Sequence, residues 1–419
     1  MEPLVHDIGG WLASQLEACT RCGICAEACP FYRATGNPEF APVWKLELLR
    51  RAYEQHYTLP GRLKVALRLE KPVDDDDLAH WQELNFGACS TCNRCSLTCP
   101  MGIAIGPLLH ELRDRLAAAE ALPENLRRMQ ATVSQEANVF GYPAYERAGW
   151  VEYMPDAPDD LYMKPQAEVL YFVGCVSSFA PRAQRMAESF VRVLSRAEVD
   201  FAILGEEELC CGFPLRSAGL LEEAKTLIAG NVERVRQMGA STVVFTCPAC
   251  RLMWLEEYSA HLPGVEMLHA AELLERLIDA GRLEIGEMSR RVTYHDPCDL
   301  ARSGGVYAAP RQVLGAIPGL QLLEVWESKS SGLCCGGGGD VEMVAPEAVK
   351  QVARQSAAKL NEPGAEVLAT ACPQCLRVFE EAFKDVNPQM QVLDINEILV
   401  RALDQPRRKG EDDGPPGTI

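Results

Sequence analysis

The chain has 419 residues, 41 basic and 59 acidic side chains, a formal charge of -18 and an apolar fraction of 47%. That length exceeds what one core fills and points to about two to four domains, while the apolar content excludes disorder of the bulk. The acidic balance excludes nucleic acid as the main partner, because phosphate binding draws on clustered Lys and Arg.

Residues 1–23 lack a basic region followed by an apolar run, so no secretory signal is expected. No apolar run reaches the ~18 residues of a transmembrane helix. In a cytoplasmic chain disulfides rarely persist, so the 18 cysteines are expected to be metal ligands.

Residues 1–154 read as a helical, ferredoxin-like segment built around two cysteine runs. Cys19, Cys22, Cys25 and Cys29 precede Pro30, and Cys89, Cys92, Cys95 and Cys99 precede Pro100, each with the spacing C-x2-C-x2-C-x3-C-P. In bacterial ferredoxins three thiolates of such a run meet one cube and the fourth reaches the other. The expected sets are Cys19, Cys22, Cys25 and Cys99 on one cubane [4Fe-4S] cluster, and Cys89, Cys92, Cys95 and Cys29 on a second. Structural zinc is the competing reading, but its sites usually use two CxxC pairs. Between the runs, Asp74 to Asp77 reads as an acidic helix start. Trp44 and Trp81, like Trp254 further on, sit in helical patterns and are expected in the core; helices are expected over Ala104 to Ala119 and Glu124 to Asn138.

The Pro- and Asp-rich stretch 155–166 is expected to be a linker. Residues 167–285 and 286–404 then repeat one pattern. Cys175 to Cys298, Cys210 to Cys334 and Cys247 to Cys372 are separated by 123, 124 and 125 positions, so the halves are an internal duplication. The first half reads as a strand Val169 to Val173 ending at Cys175, a helix Pro181 to Arg196, a strand Val199 to Leu204, the Cys210-Cys211-Gly212 turn, a helix from about Gly219 to Met238, and a strand Thr242 to Thr246 before Cys247-Pro-Ala-Cys250. The second half repeats it with Val292 to His295, Leu320 to Trp326, the Cys334-Cys335 pair running into Gly336 to Gly339, a helix from about Ala345 to Asn361, and Glu366 to Thr370 before Cys372-Pro-Gln-Cys375. Short apolar strands alternating with long helices predict parallel α/β sheets, with the cysteines at the carboxyl strand ends, where such sheets place ligands. The tail 405–419 is nearly devoid of apolar residues and is expected to be disordered.

Five cysteines per repeat exceed the four that a cubane needs, and the glycines after each pair let main chain approach sulfur closely. This C...CCG...CPxC pattern resembles the cysteine-rich CCG domain of heterodisulfide reductases. The order of a double-cubane segment ahead of two CCG domains is similar to the D-type subunits of those enzymes over roughly residues 10–404. The resemblance implies two duplicated domains related by a pseudo-two-fold axis, each carrying a non-cubane [4Fe-4S] cluster. One would use Cys175, Cys210, Cys211, Cys247 and Cys250; the other would use Cys298, Cys334, Cys335, Cys372 and Cys375. These two clusters, fed by the two cubanes, would reduce or form a disulfide of thiol cofactors or of a sulfur-carrier protein.

Relatives of similar architecture relay electrons between a flavoprotein dehydrogenase (glycolate, lactate or glycerol-3-phosphate type) and the membrane quinone pool, but typically with incomplete CCG motifs. This chain keeps all five cysteines twice, and the absence of a G-x-G-x-x-G signature fits either role. The resemblance also implies an electron-transfer partner, a membrane b-type cytochrome or a soluble flavoprotein, with this chain cytoplasmic and peripheral to the membrane in the first case. Among other polar residues, His295 is expected to cap its strand or donate to a bound sulfur, Asp340 to cap the next helix, and Lys164 and Arg182 to meet an anionic substrate near Cys175.

Overall fold

A computed structural model describes residues 2–406, so the tail expected to be disordered lies outside the described residues beyond Pro406. The segment before the first strand is helical. It includes Glu47–Tyr57, Asp75–Gly87, Ile105–Ala118 and Glu124–Glu136. The acidic start is borne out: Asp74 and Asp77 cap the helix reciprocally, each side chain accepting from the other's main-chain N–H.

Each repeat forms one four-stranded parallel sheet. The first has β1 (Val169–Phe172), β2 (Phe201–Ala202), β3 (Thr242–Phe245) and β4 (Glu266–His269), in the order β2-β1-β3-β4. The second has β5 (Arg290–Tyr294), β6 (Leu320–Leu322), β7 (Val367–Thr370) and β8 (Gln391–Asp394), in the order β6-β5-β7-β8. β1 and β7 are buried along their whole length, as strands covered on both faces should be. The edge strands β2 and β6 are shorter than the sequence predicts because an edge has one hydrogen-bonding neighbour, and residues beyond the pairing are free to leave it. The stretch expected as a linker packs against this edge. Ile203 N–H donates to the Tyr162 carbonyl at 3.0 Å, and the Tyr162 ring stacks on Phe201.

The strands β4 and β8, each leading into a helix (Ala270–Asp279 and Ile395–Leu403), were not anticipated. Both helices open on a capping box, His269 with Glu272 and Asp394 with Glu397, at positions 125 apart and so in step with the cysteine duplication. The repeats are packed reciprocally. The helix after β1, Pro181–Arg196, lies on the helix after β8, while the helix Ala309–Gly315, which follows β5, lies on the helix after β4. One apolar core therefore runs through both halves, with Tyr171, Val244 and Leu274 of the first meeting Tyr294, Val313 and Ile398 of the second.

The helical segment is fastened to both repeats by Arg113, which is wholly buried. Its guanidinium donates to the carbonyls of Asn85, Cys89, Ser217 and Gly339 at 2.6–3.0 Å, so one side chain ties the second cysteine run to both cysteine-pair regions. Trp81 and Trp254 are core residues, but Trp44 is 41% exposed. It stacks over Trp81 and accepts from its indole N–H through its own carbonyl, covering the core and not entering it.

Candidate functional site

The ferredoxin-type runs fold alike for a local reason. The residues flanking the second cysteine, Arg21 and Gly23 in one run and Thr91 and Asn93 in the other, all have left-handed backbones with φ between 52° and 79°, which curls the loop and turns main-chain N–H groups inward. The runs interleave across the segment. Cys19, Cys22, Cys25 and Cys99 line one small cavity. Cys29 leaves its own run to lie with Cys89, Cys92 and Cys95; burial pushes its thiol and that of Cys95 up, and the charges of Cys89 and Cys92 add to it. Lys45, buried although charged, points its ammonium at Cys29 Sγ, 3.6 Å away.

In each repeat the cysteines converge from the carboxyl ends of the strands. Cys175 begins a short helix after β1, Cys247 lies two residues beyond the end of β3, and Pro248 starts the helix that carries Cys250. The paired cysteines sit on a turn closed by a glycine that no other residue can replace. Gly212 and Gly336 have φ of 90° and 88°, and a Cβ on either would come within 2.9 Å of the helix behind it. Their N–H groups donate to the sulfurs of Cys210 and Cys334 at 3.5 and 3.3 Å. In both pairs the second thiol is acidic: hydrogen bonds from Cys210 and Cys250 draw Cys211 down to about 6, and those from Cys334 and Cys375 draw Cys335 to about 5; Cys334 is lowered as well, by Cys298. Thiolates are the form that binds soft metals.

Nine of the ten repeat cysteines line a single cavity of about 250 Å³ between the two halves, with Phe140, Phe213 and Met343 as apolar wall and Glu342, Gln374 and Arg377 as a polar patch. The tenth, Cys334, is turned the other way. It packs with Cys298 against Cys92 of the ferredoxin-like segment and lies 3.2 Å from Ser90 Oγ. Arg302 lies beside this junction, donating to the carbonyls of Cys92 and Gly332. The first repeat has a different neighbour. Arg147 reaches to within 3.7 Å of Cys175 Sγ and is buried against Glu208 at 2.8 Å, whose carboxylate also accepts from the N–H groups of Val173 and Gly174.

The remaining candidates are placed elsewhere. Lys164 pairs with Asp200 at the surface, and Arg182 is spent on Glu380, Glu397 and the Val392 carbonyl, joining the repeats far from any substrate role. His295 is buried edge-on to Phe379 with Nε2 unpartnered, and burial lowers its pKa to about 3, so it stays neutral. Asp340 does not cap its helix, because its left-handed backbone (φ 61°) turns the carboxyl away from the free N–H groups. The carboxyl is instead on the cavity wall beside Arg113, with Oδ2 unpartnered and its pKa raised by burial to about 7. Sequence reasoning missed the buried cations Lys45, Arg113 and Arg147 and the half-buried Arg302 altogether.

Among the described residues no three His, Cys, Asp or Glu side chains are placed to hold a single metal ion. The donor set that is present, thiols around cavities with main-chain N–H groups aimed at sulfur, fits a sulfur-rich multi-iron group.

The comparisons agree with that chemistry. A 4Fe-4S dicluster domain matches residues 15–103, and a cysteine-rich CCG domain matches residues 169–254 and again 292–380. The D-type subunit of the dihydromethanophenazine:CoB--CoM heterodisulfide reductase of Methanosarcina barkeri is 32% identical over 93% of this chain and 94% of its own length. EtfAB:quinone oxidoreductase of Syntrophomonas wolfei is 29% identical over 96% of this chain and 60% of its own. A subunit of the CoM/CoB fumarate reductase of Methanothermobacter marburgensis is 25% identical over 92% and 72%. A solved structure of a hypothetical protein from Helicobacter pylori shares the fold, with TM-score 0.56 and 12% identity over 90% of this chain and 75% of that one. With its dicluster segment, its two CCG repeats and this likeness over nearly the whole of both chains, the protein belongs to the family of D-type heterodisulfide reductase subunits and is an iron-sulfur oxidoreductase subunit.

Proposed function

We propose that the chain reduces, or forms, a disulfide of thiol cofactors or of a sulfur-carrier protein in the cavity between the repeats. The observation that carries this reading is that nine repeat cysteines, drawn from both halves, line one cavity. In this reading Cys175, Cys210, Cys211, Cys247 and Cys250 hold one non-cubane [4Fe-4S] cluster. Cys298, Cys334, Cys335, Cys372 and Cys375 hold the other. The cubanes take Cys19, Cys22, Cys25 and Cys99, and Cys89, Cys92, Cys95 and Cys29. The bound clusters supply one-electron carriers and iron as a Lewis acid for sulfur. The overall change is RSSR' + 2e⁻ + 2H⁺ to two thiols, reversible by nature. The chain itself would hold the disulfide between two walls of like geometry, with Phe140, Phe213 and Met343 as their apolar lining.

The domain limits proposed are 1–154, 167–285 and 286–404. Reciprocal packing of the four helices between the repeats supports a pseudo-two-fold axis through the cavity, since in a two-fold arrangement each contact recurs with the roles exchanged. The contact of Cys92 with Cys334 supports this junction as the place where the set Cys89, Cys92, Cys95 and Cys29, holding its cluster, would supply electrons to the second repeat. Cys22 is exposed, and its side of the molecule is where a membrane b-type cytochrome or a soluble flavoprotein is proposed to deliver them.

A relay between a flavoprotein and the quinone pool is the second reading, favoured by the likeness to EtfAB:quinone oxidoreductase. Anaerobic assay of iron-replete protein with reduced viologen and a panel of disulfides separates the two. The proposal expects turnover that Cys211→Ser and Cys335→Ser each abolish while the ferredoxin-type signals persist in electron paramagnetic resonance. Full turnover in either variant overturns it, and quinone coupling with no disulfide turnover establishes the relay.

A further inference from the structure

The helix Leu59–Ala66 is inverted in polarity. It packs on the preceding helix through Gly61, whose Cβ, if it had one, would lie 2.1 Å from the Glu54 carbonyl oxygen, and through half-buried Val65. At about 100° per residue, Leu59, Leu63 and Ala66 fall on the opposite side. An ordinary surface helix turns its apolar stripe to the core and its charges to water. Here Leu59 and Leu63, with Leu67 and Leu69 just beyond, are 80%, 58%, 59% and 75% exposed, and Arg62 and Lys64 border the apolar face on either side.

The charge of this stretch also runs against the rest of the chain. Residues 59–71 carry four basic side chains, Arg62, Lys64, Arg68 and Lys71, and one acidic, Glu70, in a protein of formal charge -18. Glu70 is held by Gln55 at 2.8 Å and lies 3.8 Å from both Arg51 and Lys64. Of the acidic helix start that follows, Asp74 pairs with Lys71 and Asp77 with Arg51, while Asp75 and Asp76 are exposed. No helix among the described residues is long and apolar enough to cross a membrane. A short helix with leucines outward and basic flanks suits the surface of an anionic bilayer, where the apolar face enters the headgroup boundary and the cations meet lipid phosphate.

We propose that residues 59–71 form a membrane-surface contact seated on anionic lipid. The contact lies on the electron-entry side of the molecule. Arg21, adjacent to exposed Cys22, is 3.4 Å from Glu54, the residue on which Gly61 packs. It deepens the partner reading above by giving this chain its own hold on the bilayer, but it rests on the surface alone and stands whether or not a disulfide is the substrate.

Flotation of the full-length, iron-replete protein with vesicles tests it. The protein should rise with phosphatidylglycerol-containing vesicles, at least about tenfold less with pure phosphatidylcholine, and less again at high salt. Leu59→Ser with Leu63→Ser, and separately Arg62→Glu with Lys64→Glu, should each cut anionic-vesicle binding about tenfold or more, with iron-sulfur absorption and viologen-linked turnover unchanged. Failure of the unaltered protein to bind anionic vesicles overturns the proposal, as does binding that neither pair of changes weakens. A concentration-dependent dimer that the leucine changes dissolve, without vesicle binding, overturns it in favour of a second copy. Turnover is read separately, so loss of the disulfide reading leaves this result standing and the reverse.

Discussion

The two cysteine repeats share strand order, capping boxes and sulfur spacing, yet they are set into the molecule differently. The first is buttressed by a buried ion pair, Arg147 with Glu208, that locks the loop before Cys175. The second turns Cys334 out of the shared cavity onto Cys92 and Ser90 of the ferredoxin-like segment, and its glycine run ends in Asp340 where the first repeat goes straight from Gly212 into Phe213 and a helix. Duplication gives two similar walls. Their surroundings make one wall a structural mount and the other a junction with the electron-carrying segment, an asymmetry that sulfur spacing alone does not contain.

The largest expected effect breaks the first mount. Arg147→Met leaves Glu208 buried without its cation, which costs about 3–5 kcal/mol, whereas adding Glu208→Gln should restore much of the loss. Thermal unfolding of the single and double variants checks this, and equal destabilisation by both would contradict it. An intermediate effect belongs to the second repeat. The Asp340 carboxyl keeps its proton up to about pH 7 in the fold, whereas in the unfolded chain it loses it near pH 4. The folded state therefore binds the extra proton between those values, and stability falls as pH rises through that window. Asp340→Asn should flatten the fall and gain on the order of 3 kcal/mol at pH 8, with none gained near pH 4; unfolding midpoints at the two pH values give the answer. The smallest is Ser90→Ala, which removes the Oγ contact to Cys334 for about 1 kcal/mol. It should perturb the paramagnetic signal of the cluster proposed on Cys334 and leave that of Cys19, Cys22, Cys25 and Cys99 alone.

The cysteine spacing and the period of the strands were enough to reveal the duplication, the parallel sheets and the dicluster segment, and the helix Pro181–Arg196 has the bounds expected for it. β4 and β8 escaped because four residues with a charged or polar end carry no period that distinguishes them from the helices they join. The buried cations escaped for a different reason. Arg113 reads as a polar position of an ordinary helix and Arg147 lies in no expected element; what buries them comes from far along the chain, the carbonyls of Ser217 and Gly339 for Arg113, 104 and 226 residues away, and the carboxylate of Glu208 for Arg147, 61 residues away. Trp44 was misplaced because periodicity cannot tell a ring inside a core from one lying over it.

The most direct measurement of the central claim, that the two repeats act on one disulfide in a shared cavity, is viologen-linked disulfide turnover in Cys211→Ser and Cys335→Ser proteins compared side by side. The account predicts that each change alone abolishes turnover. A variant damaged in only one repeat that retains full turnover would contradict it.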